Sequence, residues 1–192
     1  MIQQGIKPLE MDFTDEESII AASKHFSDQP LDVLINCAGV YYPWDDKPFT
    51  ELTADDLISH FKVNTGPFLT SKYFLPALSR SKGGKIINIS SDFASITDNA
   101  GGNACYRISK CALNQLTKNM AMDLEKISPN VKTIAVHPGY VPTKMTGYVG
   151  EDDMERCIQG LVEIVEKFGT PGWEEKLPNS GYVRWSGEIM RF

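Results

Sequence analysis

The chain has 192 residues, which suits one domain over residues 1–192 with a sizeable hydrophobic core. Its 25 acidic residues outnumber its 19 lysine and arginine residues, and the lack of a basic run argues against a nucleic-acid-binding surface. No apolar stretch is long enough to span a membrane, and the four cysteines and three histidines lack disulfide or metal-ligand spacing, so we expect a cytoplasmic protein with reduced thiols and no metal site.

Apolar runs alternate with longer amphipathic segments along the chain. Strands are predicted over residues 7–13, 31–38, 85–90, 131–137 and 181–185, and helices over residues 15–27, 53–79, 103–127 and 152–168. Because the strand segments are apolar on both faces, the predicted fold class is α/β, a Rossmann-like, doubly wound parallel sheet with helices on both sides. The helix over 53–79 contains Gly66-Pro67 and is expected to bend there, since proline lacks an amide donor.

A tyrosine and a lysine four positions apart, Tyr106 and Lys110, would lie on one face of the predicted helix over 103–127. An ammonium nearby favours phenolate, so Lys110 is expected to lower the pKa of Tyr106 below its reference value of about 10. A serine hydroxyl could then hold a carbonyl oxygen while the phenol supplies or removes the alcohol proton. Alone the spacing is weak evidence, because the same pair occurs on many exposed helices.

Further motifs accompany this pair in a fixed order. They are Asn36-Cys37-Ala38-Gly39 after a strand, Asn64 in a helix, Ser90-Ser91 after the next strand, and Pro138-Gly139 after the one that follows. As a set they resemble the short-chain dehydrogenase/reductase family over nearly the whole chain. Residues 102–114 and the segment near Gly187 are most similar to its small carbonyl-reductase branch, which includes sniffer and C-factor.

The resemblance implies an NAD(P)-dependent oxidoreductase that reduces a ketone or aldehyde to an alcohol, or catalyses the reverse. It implies that Tyr106 is the catalytic acid/base, that Ser91 orients the carbonyl, and that Lys110 also binds the cofactor ribose. Asn64 would reach Lys110 through its backbone carbonyl and a water. Ser90 competes with Ser91 for the serine role, and the separation from Tyr106 is slightly longer than usual in the family, so residues near 98–102 are expected to loop out.

The resemblance also implies a nicotinamide cofactor, NADP by analogy with the carbonyl-reductase branch and NAD as the alternative. The implied contacts are Asp12, Asn36, Ala38, Gly39, Tyr106, Lys110, Pro138, Gly139, Val141 and Thr143. Asp12 would contact the adenine, with helix capping as its alternative role. The backbone of Val141 would hold the carboxamide, Thr143 would reach the diphosphate, and residues 144–180 would cover the substrate.

One family motif is missing from the sequence. The family opens with a strand, a Gly-x-x-x-Gly-x-Gly turn and a helix whose N-terminus receives the diphosphate, and no such turn occurs here. Residues 6–12 match the family's third strand, so its first two strands and helices are expected to be absent, which leaves an open edge on the strand over 31–38. We therefore expect an incomplete version of a longer protein. A truncated, non-catalytic remnant that acts through protein binding is the alternative function.

The helices over 53–79 and 103–127 match the faces that form a dimer interface in this family. We therefore expect a homodimer or tetramer that binds a small carbonyl or alcohol substrate and neither nucleic acid nor membrane. The apolar residues assigned to this interface are Phe61, Phe68, Phe74, Leu113, Leu116 and Met120.

Overall fold

The computed structural model describes Gly5, residues 7–42 and residues 46–192. Within them, four strands form one sheet in the order β1 (Val33–Asn36), β2 (Gly84–Ile89), β3 (Val131–His137) and β4 (Tyr182–Arg184). Every pairing is parallel. The sheet and its flanking helices confirm the predicted Rossmann-like α/β class.

Five α-helices connect or flank the strands: α1 (Glu16–Ser23), α2 (Ala54–Asn64), α3 (Pro67–Arg80), α4 (Ala104–Ile127) and α5 (Met154–Lys167). The Asp15 carboxylate caps α1 by accepting from the Glu17 amide. Thr53 and Asp56 cap α2 reciprocally. The predicted single helix over 53–79 is therefore two helices, because the chain leaves helical geometry at Thr65 and restarts with proline at the first position of α3.

The strand expected over residues 7–13 is wrong. Residues 7–12 have no sheet pairing, and Phe13 and Thr14 form a turn before α1. A strand exists only where a neighbour accepts its backbone hydrogen bonds, and among the described residues β1 pairs with β2 alone. Met11 packs against the core as part of an irregular segment instead.

The core lies on both faces of the sheet because successive strand side chains point to opposite sides. Ile86 of β2 packs with Ile19 of α1 and Leu78 of α3 on one face. Its neighbour Ile87 packs with Ile164 of α5 on the other face, in a cluster that also contains β3 and β4 residues. The sheet thus carries the ends of β2 and β3, with the residues that follow them, between the two helical layers.

Candidate active site

The two serines after β2 differ in where their hydroxyl groups point. The Ser90 amide donates to the Val136 carbonyl of β3 at 2.7 Å. The Ser90 hydroxyl donates at 2.7 Å to Oδ1 of Asn114, a buried residue in the middle of α4. The Ser91 hydroxyl instead hydrogen-bonds the phenol of Tyr106. The structure therefore brings Ser91, and not its competitor Ser90, to the tyrosine.

Tyr106 lies in the first turn of α4 with its phenol enclosed by other rings. The Tyr41 and Phe93 rings stand edge-on to it, with centroids 5.2 and 6.1 Å away. Burial raises the pKa of Tyr106 to about 12, and the hydrogen bond with Ser91 only partly opposes this effect. The expected lowering of this pKa by Lys110 is therefore wrong, and the phenol is protonated at neutral pH.

Lys110 is one helical turn beyond Tyr106 and is only 4% exposed. Its ammonium donates to the Ile89 carbonyl at the end of β2, at 2.9 Å, and lies 5.8 Å from the centroid of the Tyr106 ring. Burial disfavours the charged form and lowers the pKa of Lys110 to about 8. The side chain is thus a cation at neutral pH, held beside the tyrosine by one backbone carbonyl.

Gly39 lies in the turn after β1, close to the Lys110 ammonium. The Asn64 side chain clamps the adjacent Val40 backbone, accepting from its amide at 2.8 Å and donating to its carbonyl at 3.0 Å, and also donates to the Ser109 hydroxyl at 2.9 Å. A Cβ atom on Gly39 would lie 3.2 Å from Asn64 Oδ1 and 3.3 Å from Lys110 Nζ. The absence of a side chain therefore lets the turn, the asparagine and the lysine meet.

Asn64 also lies at the break between α2 and α3. In a continuous helix its carbonyl would accept from the amide of Phe68, but that amide donates to the Thr65 carbonyl at 3.0 Å. Pro67 follows with no amide hydrogen. The break thus withholds a helical donor from the Asn64 carbonyl, the group expected to act toward Lys110.

Asn36 has a different place from the one expected. It is the last residue of β1, and its side chain is buried, donating to Asn88 Oδ1 at 2.8 Å and accepting from the Thr70 hydroxyl at 2.6 Å. These bonds join β1, β2 and α3 inside the protein. As a correction, only Ala38 and Gly39 of this motif lie in the turn beyond the strand, and the Asn36 side chain supports the sheet.

Asp12 lies immediately before the turn that leads into α1. Its carboxylate accepts from the Thr14 amide at 2.7 Å and from the Thr14 hydroxyl at 2.8 Å, and these bonds lower the pKa of Asp12. The helix cap itself is Asp15, whose carboxylate accepts from Glu17. The capping alternative for Asp12 is therefore wrong, and its contact with an adenine stays a prediction.

Pro138 and Gly139 lead out of β3 on a constrained path. Gly139 has φ +96°, and a Cβ atom there would lie 2.7 Å from the Cys157 sulfur. The carboxylate of Asp152 accepts from the Tyr140 amide at 2.7 Å and closes the loop back onto its far end. Glycine is thus required at this corner by its backbone conformation and by the close approach of α5.

Val141 and Thr143 lie farther along this loop, whose hydrogen bonds are local. The Thr146 hydroxyl donates to the Val141 carbonyl at 3.0 Å and accepts from the Thr143 amide at 2.9 Å. The Tyr148 amide donates back to the Thr143 carbonyl at 2.7 Å. The loop therefore has a defined shape, while the roles of Val141 and Thr143 toward a cofactor stay predictions.

The assembled groups can perform one kind of chemistry. A protonated phenol, a serine hydroxyl bonded to it and a buried ammonium nearby can bind an oxygen atom and give it a proton. The decisive comparison is with sequence families: the model of the short chain dehydrogenases matches residues 1–154. The chain belongs to this family.

Relatives of this short-chain dehydrogenase agree with the carbonyl-reductase branch. C-signal of Myxococcus xanthus is 30% identical over 139 residues, which cover 71% of this chain and 81% of that protein. The NADPH-bound carbonyl reductase from chicken fatty liver superimposes with a TM-score of 0.83 at 28% identity, over 96% of this chain and 76% of that one. The carbonyl reductase Sniffer of Drosophila melanogaster superimposes with a TM-score of 0.84 at 28% identity, over 96% of this chain and 77% of that one.

The structure of this short-chain dehydrogenase shows one site neighbour that the sequence did not reveal. His60 is fully buried, accepts from the Tyr42 amide at 3.3 Å through Nε2, and lies 6.4 Å from the Tyr106 ring between centroids. The three histidines lack metal-ligand spacing, and no motif in the sequence includes His60. The available signal was its position one helical turn before Asn64, which places both on one face of α2.

The longer spacing between Ser91 and Tyr106 is accommodated before α4. Gly101, Gly102 and Asn103 have φ values of +87°, +70° and +50°, three left-handed residues in succession. Asn103 Oδ1 also accepts from the Tyr41 hydroxyl at 2.6 Å. The extra residues thus loop out as expected.

The described part of this short-chain dehydrogenase contains no helix that combines the length and apolar character needed to cross a bilayer. Nor does it bring together three or more histidine, cysteine, aspartate or glutamate side chains in a group suited to a metal ion.

Proposed function

We propose that this chain carries the proton-transfer part of an NAD(P)-dependent carbonyl reductase, which reduces a ketone or aldehyde to an alcohol. The observation that carries the proposal is the hydrogen bond between Ser91 and the buried phenol of Tyr106. Family membership and the likeness to the NADPH-bound chicken carbonyl reductase support it. The proposed catalytic residues are Ser91, Tyr106 and Lys110, with Asn64 as the residue that acts toward Lys110.

The protonated phenol of Tyr106 supplies the proton that reduction of a carbonyl requires. When held beside Lys110 and Gly39, a nicotinamide cofactor would supply the hydride for the carbonyl carbon. Ser91 donates a hydrogen bond to the carbonyl oxygen, and Tyr106, which holds its proton up to about pH 12, gives that proton to the oxygen. The phenolate left behind is stabilised by the Lys110 ammonium, 5.8 Å from the ring centroid.

The residues present fit the nicotinamide end of the cofactor better than its diphosphate. Gly39 leaves open the space that a Cβ would take beside Lys110, where the ribose would be held. Val141 and Thr143 would contribute from the loop after β3. The sequence holds no Gly-x-x-x-Gly-x-Gly turn, so residues 1–192 lack the backbone donors that this turn gives a diphosphate. NADP is proposed from the NADPH-bound neighbour, with NAD as the alternative.

The test uses the chain together with any in-frame strand, glycine-rich turn and helix encoded upstream of Met1. NADPH oxidation is followed at 340 nm against a panel of ketones and aldehydes. Replacement Tyr106→Phe removes the proton donor and is expected to lower turnover by about 100- to 10,000-fold. The control Tyr73→Phe removes a hydroxyl that donates to Glu16 away from the site, and leaves turnover unchanged. Full turnover in Tyr106→Phe would refute the assignment.

A second candidate is a non-catalytic remnant that acts through protein binding. It is favoured by the missing glycine-rich turn and by the edge of β1, which has no pairing strand among the described residues and where Ile35 is 49% exposed. The discriminating observation is the DNA upstream of Met1. An in-frame glycine-rich turn there supports the reductase, and its absence supports the remnant.

We further infer self-association through the face that α2, α3 and α4 share. Phe61 and Phe68 are 43% and 54% exposed there, which is unusual for phenylalanine. Two of the residues assigned to this interface are corrected: Phe74 and Leu113 are buried in the chain's own core and supply no surface. A homodimer is the assembly proposed for this face.

A further inference from the structure

The last strand delivers a buried hydroxyl group to the backbone of the catalytic serine. Tyr182 of β4 is completely buried, and its hydroxyl donates to the Ser91 carbonyl at 2.5 Å. A buried tyrosine hydroxyl needs an acceptor, and many backbone carbonyls would serve. Here the acceptor belongs to the residue whose hydroxyl bonds the Tyr106 phenol.

The Ser91 peptide sets the direction of the Ser91 hydroxyl. Its carbonyl also accepts from the Ala94 amide at 3.0 Å, which closes the tight turn after the strand. Its hydroxyl accepts from the Phe93 amide at 3.2 Å and donates to Asp92 Oδ1 at 3.0 Å. All of these partners lie within three residues of Ser91 and turn with it. The turn is bonded to β3 where the Asp92 amide donates to His137 Nδ1 at 3.1 Å, and the Tyr182 hydroxyl adds a bond from β4 to the Ser91 carbonyl itself.

Tyr182 is itself held on both sides. Its strand pairs with β3, where Ala135 lies opposite it, and its carbonyl accepts from the Met190 amide at 2.8 Å. The Phe192 ring packs on the tyrosine ring with centroids 5.6 Å apart. The Phe192 carbonyl in turn accepts from the Thr97 amide at 3.1 Å and from the Thr97 hydroxyl at 2.6 Å. Residues 182–192 therefore contact the segment after β2 at Ser91 and again at Thr97.

We propose that Tyr182 is a positioning residue for the Ser91–Tyr106 pair, acting through the Ser91 carbonyl. Its catalytic meaning rests on the proposed function, but the positioning is a property of the folded chain. Without the Tyr182 hydroxyl the serine turn keeps its local bonds and the bond of Asp92 to His137, and the Ser91 carbonyl loses its tie to β4. The Ser91 hydroxyl then departs from the phenol although both side chains remain. Nothing in the Tyr-x-x-x-Lys motif indicates this dependence, since 91 residues separate the two partners.

The test observes the phenol of Tyr106 directly, in the full chain labelled with tyrosine carrying ¹³C at Cζ. The Cζ chemical shift responds to hydrogen bonding of the phenol, and Ser91→Ala gives the position of the resonance without its serine partner. Tyr182→Phe is expected to move the Tyr106 resonance in the same direction, by at least half of that displacement. Tyr73→Phe is the matched control, because its hydroxyl bonds Glu16, and leaves the resonance in place.

Stability is measured in parallel by urea unfolding, so that a purely structural role is recognised. A lower unfolding midpoint in Tyr182→Phe with an unmoved Tyr106 resonance overturns the proposal and leaves the proposed function standing. An unmoved resonance in Ser91→Ala overturns both, since the hydrogen bond they share would be absent. Should Tyr182→Phe not fold, Phe192→Ala decides: it loosens the tyrosine ring but keeps the hydroxyl, and a smaller displacement in the same direction supports the proposal, while none overturns it.

Discussion

Replacing Lys110 with methionine tests how much the buried ammonium costs the folded chain. The substitution keeps an unbranched side chain of similar length and removes the charge. Lys110 is only 4% exposed, and its ammonium donates to the Ile89 carbonyl. A cation so placed has lost most of its hydration, so its removal should stabilise the fold at neutral pH.

The sign and size follow from the pKa of Lys110, which burial lowers from 10.5 to about 8. Between these two values the unfolded chain holds a proton that the folded chain has released, so the free energy of unfolding rises with pH through this window. The difference corresponds to about 3 kcal/mol at about 1.4 kcal/mol per pKa unit. At pH 7 methionine avoids this cost of burying the ammonium but loses the hydrogen bond to the Ile89 carbonyl, which is worth about 1 kcal/mol. The free energy of unfolding is therefore expected to rise by about 2 kcal/mol.

The assay is urea unfolding at pH 7, 8, 9 and 10, followed by tryptophan fluorescence. The advantage of Lys110→Met over the unchanged chain should shrink as the pH rises above 8, because the unchanged chain gains stability there. The pKa of Tyr106 in the folded chain is about 12, so deprotonation of this phenol lowers the free energy of unfolding above pH 10. Because both proteins contain Tyr106, this effect cancels when their stabilities are subtracted. The control Lys118→Met lies on the exposed side of the same helix, where its ammonium donates to the Ser180 hydroxyl. A Lys110→Met chain that is less stable at pH 7, or an advantage that does not change with pH, would refute the reasoning.

Three further predictions concern packing, cofactor binding and assembly. Gly39→Ala should destabilise the fold by about 1–3 kcal/mol because its new methyl group meets the side chains of Asn64 and Lys110. The control is Gly83→Ala, whose methyl group meets no atom within 4 Å, and equal urea midpoints for the two variants would contradict this prediction. Residues 1–192 alone should show no measurable NAD(P)H-dependent turnover, since two or three diphosphate bonds of about 1.5–3 kcal/mol each are missing; micromolar NADPH binding in a fluorescence titration would show that the half-site suffices. Sedimentation at micromolar concentration should show a dimer that Phe61→Asp or Phe68→Asp converts to a monomer, and a strictly monomeric unchanged chain would count against the proposed interface.

The sequence predicted elements well where their signal is local. The apolar run over 131–137 coincides with β3, and the predicted helix over 103–127 differs from α4 by one residue. The expected strand over 7–13 failed because strand formation depends on a neighbour, which hydrophobic pattern does not reveal. Likewise Gly66-Pro67 correctly marked a disturbance, but whether it bends a helix or divides it depends on how each half packs.

In the candidate site, too, the sequence predicted what depends on neighbouring residues and failed where distant residues decide. The spacing of Tyr106 and Lys110 sufficed to place them on one helix face beside each other. The pKa of Tyr106 was predicted wrongly because desolvation depends on side chains from elsewhere, such as Tyr41 and Phe93 around the phenol. Tyr182 escaped notice for the same reason, since its partner is on another strand.

The order of the strands in the sheet has a consequence for how the chain folds. The strands neighbour one another in the order in which they occur along the chain, so no strand has to enter between two that are already paired. During synthesis, β1 and β2 can pair before β3 has left the ribosome, and each later strand then adds at the free side of the growing sheet. The slow step is the closure of each crossover, because residues 33 and 85, or 85 and 132, must meet across long intervening segments. Tyr182 joins last, so the serine turn, already bonded to β3 through Val136 and His137, acquires its bond to β4 only when translation is nearly finished.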